Sequence, residues 1–174
     1  DMIKSYDLTF FNLSHQRLLQ RIKEVKEFYP SILNKSFDFS IQENINLDFE
    51  NISFPQNNRE RINRWRKQLK YSALDIYDIK LSEQNLKSKS SENPKSNETL
   101  IKESVDLVKK NVENVFDLMG DLQRKDWFSN YINAFVVQLD PHTFYFKPED
   151  KERFDMSMSG KFDGIGARLS KESG

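Results

Sequence analysis

The sequence predicts a mainly α-helical, bundle-like domain, and three observations support this fold class. Apolar residues recur every three or four positions in long runs, which is the spacing of one face of a helix. Glycine and proline are scarce, with five of each in 174 residues, and several of them stand at the ends of these runs. Alternation of apolar and polar residues, which indicates extended segments, is confined to two short stretches.

The first predicted helix covers residues 15–29 and ends at Pro30, because proline lacks the amide that a helix interior needs. Residues 8–13 form an earlier turn of this helix, with Ser14 as its candidate cap. The second helix starts at Asn57, whose spacing from Glu60 is typical of a capping box, and runs to about residue 81. Its predicted apolar face consists of Ile62, Trp65, Leu69, Ala73 and Ile76.

The third helix opens at Asn97 or Thr99 and stops at Gly120, a residue type common at helix ends. Its predicted apolar face consists of Ile101, Val105, Val108, Val112, Val115, Phe116 and Met119.

Two shorter helices follow. Asp126 is the predicted cap of the fourth, which ends at Asp140-Pro141. Its residues available for burial are Phe128, Tyr131, Ile132, Phe135 and Leu139. The fifth begins at Pro148, because proline and acidic residues suit the first turn of a helix, and it docks through Phe154 and Met158.

The remaining segments are predicted to be non-helical. Alternation over residues 36–55 predicts an extended, partly irregular crossover lying on the helices, and residues 82–98 form a polar, exposed loop. Residues 160–174 read as a strand. Either this strand returns to the crossover, or it opens a second domain, since an unpaired strand is a liability in a helical chain.

Composition excludes several classes of site. The absence of cysteine excludes disulfides and cysteine-based zinc sites, and two histidines cannot form a multi-histidine metal centre. Lys+Arg and Asp+Glu both number 27, so the chain lacks the basic field that attracts nucleic acid or anionic membranes. The spacing of Gly160, Gly164 and Gly166 does not match a phosphate-binding loop. We therefore predict no cofactor, no metal and no nucleic-acid partner.

Residues 139–169 read LDPHTFYFKPEDKERFDMSMSGKFDGIGARL, and this stretch resembles the junction between the helical N-terminal domain and the PDZ domain of tail-specific, or C-terminal processing, proteases. The matching residues are Asp140, Pro141, His142, Thr143, Tyr145, Pro148, Phe154, Met158, Gly164, Ile165, Gly166 and Ala167. Upstream, Arg64-Trp65-Arg66-Lys67, Phe28-Tyr29 and Phe37-Asp38-Phe39 are similar to long members of the same family.

The resemblance implies that residues 1–159 are the N-terminal domain and that 160–174 are the first strand of a PDZ domain. It implies a periplasmic or envelope serine endopeptidase that recognises apolar C-terminal tails. The Ser-Lys dyad of that family lies beyond the PDZ domain, so no catalytic residue is assigned in this chain. The implied partners are the PDZ domain and protease core of the parent chain, unfolded or tail-exposed substrates and an adaptor protein.

Some residues invite alternative interpretations. His142, oriented by Asp140, has the chemistry of a general base, but no nucleophile is placed beside it, so a turn histidine is favoured. The basic run around Trp65 suggests nucleic acid, yet a solvated helix face explains it better. That run comprises Arg59, Arg61, Arg64, Arg66, Lys67 and Lys70.

Two further clusters have a structural and a functional interpretation. Glu149, Asp150 and Glu152 have cation-binding chemistry, but acidic residues at a helix N-terminus need no ion to explain them. Phe144-Tyr145-Phe146 is interpreted as buried or interdomain rather than as a peptide-binding rim. If these rings are bare, we expect dimers in concentrated solution. The rival to the protease interpretation is a self-contained helical interaction module.

Overall fold

The computed structural model describes residues 7–48, 50–87 and 94–160, and these contain five α-helices and no strand. The helices are α1 (Thr9–Leu33), α2 (Asn58–Lys87), α3 (Asn97–Asp121), α4 (Arg124–Leu139) and α5 (Pro148–Ser159). The mainly helical prediction is confirmed. No helix in these residues is long and apolar enough to cross a membrane.

The chain divides into two compact units. The terminal unit comprises Asp1–Leu19 and Asp117–Gly174, and the central unit comprises Gln20–Phe116. The core of the terminal unit is built around Phe11, whose ring lies 5.2 Å from the rings of Phe128 and Tyr131 and which is 2% exposed. Arg124 lies over the Phe11 ring and donates a hydrogen bond to Asn12.

The central unit is built from most of α1, all of α2 and most of α3. Ser104 is 0% exposed in this unit, and its hydroxyl donates to the Leu100 carbonyl at 2.7 Å, so this buried hydroxyl is not left unpaired. The other buried residues of this unit are Val25, Tyr29, Ile32, Leu33, Phe37, Leu69, Lys70, Ala73, Leu100, Val108 and Phe116.

The helix termini follow local chemistry in three places. The amide of Glu60 donates to Asn57 Oδ1 at 2.9 Å, which confirms Asn57 as the cap of α2. The carboxylate of Glu60 accepts from the amide of Gln56 rather than from Asn57, one residue earlier than in a standard capping box. Pro148 is the first residue of α5, and Gly160 ends that helix with a φ of 65°.

The predicted end of the first helix is wrong. Pro30 lies inside α1, which continues to Leu33. The side chains of Tyr29, Ile32 and Leu33 are all buried, so packing of the last turn offsets the backbone hydrogen bond that proline removes.

Three other predicted boundaries also differ. α2 extends through residues 82–87, which were assigned to the exposed loop, because Ser82–Lys87 contains no glycine or proline and mostly good helix formers. Gly120 lies within α3 instead of ending it, and Asp126 occupies the third position of α4, where it accepts from the amide of Gln123 at 2.8 Å.

Several residues predicted to be buried are exposed. Ile62, Phe135, Phe154 and Met158 are among the exposed apolar side chains, and Leu139 is 89% exposed at the last position of α4. In α3 the buried stripe passes through Leu100 and Ser104, while Val115 is exposed. The apolar period therefore predicted the helices correctly. It did not predict which face of each helix is buried, because that depends on the neighbours that surround the helix.

Residues 36–48 and 50–55 adopt neither helix nor strand and contain turns. Phe49 lies outside the described residues, as does all of the predicted C-terminal strand after Gly160. The strand assigned to 160–174, with its PDZ interpretation, therefore stays a prediction.

Candidate functional site

Asp140 organises the turn that follows α4. Its carboxylate accepts hydrogen bonds from the Thr143 hydroxyl and from the His142 amide, the latter at 3.0 Å. These donors hold the pKa of the Asp140 carboxyl below its usual value, with the Thr143 hydroxyl as the larger cause. The His142 side chain is 91% exposed, and its Nδ1 lies 3.3 Å from the same carboxylate. This geometry is that of an aspartate-capped turn.

Asn133 holds the segment after the turn against α4. The Tyr145 amide donates to Asn133 Oδ1 at 2.6 Å, and Asn133 Nδ2 donates to the Tyr145 carbonyl at 3.1 Å. The Tyr145 ring packs edge-on against Phe128 at 5.9 Å. One side chain thus satisfies both backbone groups of Tyr145 and fixes its ring on the helix.

Ion pairs attach the start of α5 to the start of α4. Lys147 donates to Asp126, which lowers the pKa of Asp126 and raises the pKa of Lys147. Lys125 pairs with Glu149, and Lys147 also lies 3.4 Å from Asp150. Two of the three clustered acids therefore have lysine partners, and the described residues contain no group of three metal-ligating side chains.

An exposed apolar surface accompanies this junction. The rings of Phe146 and Phe154 stack at 5.4 Å with an interplanar angle of 23°. Both rings and Phe144 remain about half exposed, and Met158 is 73% exposed. We call these four residues the junction apolar patch. Phe144 and Phe146 are therefore not buried in the core of the described structure, while Tyr145 is partly buried. Burial of these rings against another domain stays a prediction.

The junction motif is described only in part. Asp140, Pro141, His142, Thr143 and Tyr145 lie between α4 and α5, and Pro148 is the first residue of α5. Gly164, Ile165, Gly166 and Ala167 lie outside the described residues. Asn133 was missed by the sequence analysis, although an amide side chain flanked by Ile132 and Ala134 was a signal for it.

The basic run of α2 has a different role from the predicted solvated face. In the central unit, Arg66 and Lys70 both donate to the Glu43 carboxylate, with Nη1 and Nζ at 2.9 Å and 3.0 Å from Oε2. The pKa of Glu43 falls to about 2, because Arg66 and then Lys70 favour its charged form. Lys70 Nζ also donates to the Ile41 carbonyl at 2.8 Å, and its side chain is 11% exposed.

Two more members of the run bind backbone carbonyls of the same connection. Lys67 donates to the Asn44 carbonyl and Arg64 to the Ser53 carbonyl, each at 2.8 Å. We call Arg64, Arg66, Lys67 and Lys70 the α2 clamp. Two of these four cations are paired with the Glu43 carboxylate, and the other two donate to backbone carbonyls. Glu43 was missed by the sequence analysis, although it is the only charged residue between Phe39 and Leu47.

Comparison with known proteins identifies the family. The family model described as "Tail specific protease N-terminal domain" matches residues 1–149. The chain belongs to this family. A curated relative, the tail-specific protease of Haemophilus influenzae, is 24% identical over 155 residues, covering 89% of this chain. No solved structure matches the chain.

The match to the tail-specific protease N-terminal domain covers most of this chain. The aligned region is only a small part of the length of the relative. The chain spans 20% of the length of the Haemophilus influenzae protein. The family match ends at residue 149, the second residue of α5. The resemblance inferred from the sequence is therefore confirmed at the level of the family.

Proposed function

We propose that this chain is the non-catalytic N-terminal domain of a periplasmic or envelope serine endopeptidase, which degrades or processes proteins that carry apolar C-terminal tails. In this role it scaffolds the PDZ domain and the protease core of the parent chain. Residues 1–159 form the domain, and residues 160–174 begin the PDZ domain. An adaptor protein and unfolded substrates are the further partners of the parent.

The family match that runs into the junction carries this proposal. The junction is held by three independent contacts: the Asp140 turn, the Asn133–Tyr145 pair of hydrogen bonds and the Lys147–Asp126 ion pair. Such a fixed exit gives a following domain a defined direction. The junction apolar patch lies beside that exit and suits burial against a neighbouring domain.

The test measures cleavage by the full-length parent. Asn133→Ala removes both hydrogen bonds to the Tyr145 backbone, and the matched control Asn130→Ala changes an exposed amide one turn away on α4. We expect Asn133→Ala to lower the cleavage rate of a substrate with an apolar C-terminus at least several-fold. The control should keep the parental rate.

Equal rates for both variants in a parent that folds normally would contradict a positioning role for the junction. A deletion of residues 15–157 that leaves folding, cleavage rate and substrate choice unchanged would contradict the whole proposal. The interaction-module alternative is tested by blotting fractionated source cells. A native product near 20.7 kDa, rather than one several times heavier in the envelope fraction, supports that alternative.

A further inference from the structure

The central unit contains a cavity that the junction and the family assignment do not explain. It has a volume of about 330 Å³, within the usual range for small-ligand pockets. It lies between the C-terminal end of α1, the connection after it and the first half of α2. Its lining comprises Ser31, Ile32, Lys35, Ser36, Phe37, Asp38, Ile41, Glu43, Ile62, Arg66 and Lys70.

The cavity has an apolar floor and an apolar rim. Ile32 and Phe37 are buried and form the floor. Ile41 and Ile62 also line it, yet they are 57% and 38% exposed, so apolar surface is left in water around the cavity. An apolar side chain entering from solvent would cover both isoleucines and gain the usual transfer free energy.

The charges around the cavity favour an anionic neighbour. Three cationic side chains line it against two carboxylates, which leaves a net charge of +1. Glu43 is held by Arg66 and Lys70, and Asp38 accepts from the Ser40 amide and hydroxyl. Lys35 has no hydrogen-bond or ion-pair partner for its ammonium group among the described residues. It is therefore the cation available to a ligand.

The walls of the cavity are held in place before any ligand arrives. Arg66 and Lys70 fix Glu43, and Lys70 also fixes the Ile41 carbonyl. A pre-organised site loses less conformational entropy on binding than a mobile one. The α2 clamp therefore positions Ile41, which an ordinary loop would leave mobile.

We propose that this cavity binds an extended protein segment that places an apolar side chain between Ile41 and Ile62 and a neighbouring side-chain carboxylate on Lys35. Such segments are presented by unfolded proteins. The inference rests on the proposed function, because it assigns to this domain a contact with the substrates of the parent. It needs no terminal carboxylate and so differs from recognition of a C-terminal tail.

The probe is a fluorescent hexapeptide with both ends blocked and with leucine followed by glutamate at its centre. We expect binding to the chain with a dissociation constant of about 0.1–1 mM by fluorescence anisotropy. Replacing the leucine of the probe by serine should weaken binding roughly tenfold, the effect of losing one buried apolar side chain. Replacing its glutamate by glutamine should weaken binding about threefold to fivefold, and raised salt should remove that difference.

Two variants and one matched control locate the contact. Ile41→Ser should weaken binding roughly tenfold. Lys35→Ala should weaken binding of the glutamate probe about fivefold and leave the glutamine probe unchanged. Lys110→Ala, an exposed lysine on α3 outside the cavity, should change binding less than about twofold. All three side chains are exposed, so we expect each variant to keep the melting temperature of the parental chain. An unchanged melting temperature then shows that the fold is retained.

No binding of the probe at millimolar concentration would overturn the proposal. Equal affinity of the parental chain, Ile41→Ser and Lys35→Ala would also overturn it, because binding would then occur elsewhere. Neither result bears on the Asn133→Ala cleavage test of the parent, so failure of the cavity and failure of the proposed function are distinguishable.

Discussion

Glu43 connects two otherwise separate stretches of sequence, since it receives Arg66 and Lys70 from α2 while lying in the connection after α1. Its side chain and those of both cations are no more than about a third exposed, so the network is only partly screened by solvent. Removing one partner therefore has a larger effect than breaking an ordinary surface ion pair.

The first prediction concerns the pH dependence of this network. The folded pKa of Glu43 is about 2 and its ordinary value is 4.5, so its stabilisation is full above pH 4.5 and is lost as the pH falls towards 2. We expect Glu43→Gln to lower the free energy of unfolding by about 1 kcal/mol at pH 7. Urea unfolding at pH 7, 5 and 3 should show this gap at the first two values and a smaller gap at pH 3.

The control for this experiment is Glu50→Gln on the same connection, because Glu50 is exposed and has no ion pair among the described residues. Its free energy of unfolding at pH 7 should lie within about 0.5 kcal/mol of the parental value. A gap for Glu43→Gln that stays constant from pH 7 to 3 would contradict the assigned cause.

The second prediction concerns Gly120, which lies in the last turn of α3 although glycine disfavours helices. A Cβ atom at this position would meet no atom within 4 Å, and only Gly160 has a positive φ among the described glycines. Gly120→Ala should therefore raise the free energy of unfolding by roughly 0.5–1 kcal/mol. Gly160→Ala should lower the free energy of unfolding, because alanine is strained at a positive φ. A melting temperature of Gly120→Ala below the parental value would refute this prediction.

At the level of elements, the first turn of α2 is fixed by reciprocal contacts around Asn57. Its side chain satisfies the Glu60 amide, and the Glu60 carboxylate satisfies the Gln56 amide. The Glu60 amide belongs to the set that a helix start leaves without intrahelical partners, and the Gln56 amide lies one residue before that set. Arg64, the first residue of the α2 clamp, lies two turns after this cap, so the start of the helix determines which face of α2 the clamp occupies.

The third prediction is that Asn57→Ala lowers the free energy of unfolding by about 1 kcal/mol, the usual cost of losing a side-chain cap. Asn58→Ala is the matched control, since Asn58 is exposed and already inside the helix, where alanine is tolerated or favoured. Thermal denaturation followed by circular dichroism measures both. Equal losses for the two variants would show that Asn57 does not act as a cap.

At the scale of the whole molecule, 27 basic and 27 acidic residues give a formal net charge of zero, and some of them form ion pairs in the described structure. Charge repulsion between copies is therefore weak. The junction apolar patch adds exposed aromatic surface at one place. Together these features favour weak self-association of the chain.

The fourth prediction is that the chain forms dimers at high concentration and that Met158→Ser weakens them. Leu86→Ser is the control, because Leu86 is 80% exposed, similar to the 73% of Met158, but stands apart at the end of α2. Sedimentation velocity over a hundredfold concentration range measures both. A strict monomer throughout, or equal weakening by the two variants, would exclude association through the patch.

The sequence by itself determined the helical class, the start of α2 at Asn57, the start of α5 at Pro148 and the family. The helical class and the two helix starts depend on the period of apolar residues and on caps, which act within about one turn of the chain. The family was indicated by the resemblance of the junction motif. The junction motif was also visible, because its residues are close together in sequence.

Tertiary structure decided which face of each helix is buried, whether Pro30 ends α1 and where the basic residues of α2 point. Tyr29, Ile32 and Leu33 keep α1 helical past its proline, and Glu43 draws Arg66 and Lys70 away from solvent across more than 20 residues. Neither effect has a local signature. Burial and ion pairing depend on the neighbours that the fold supplies, and their free energies exceed the local preferences that a sequence pattern records.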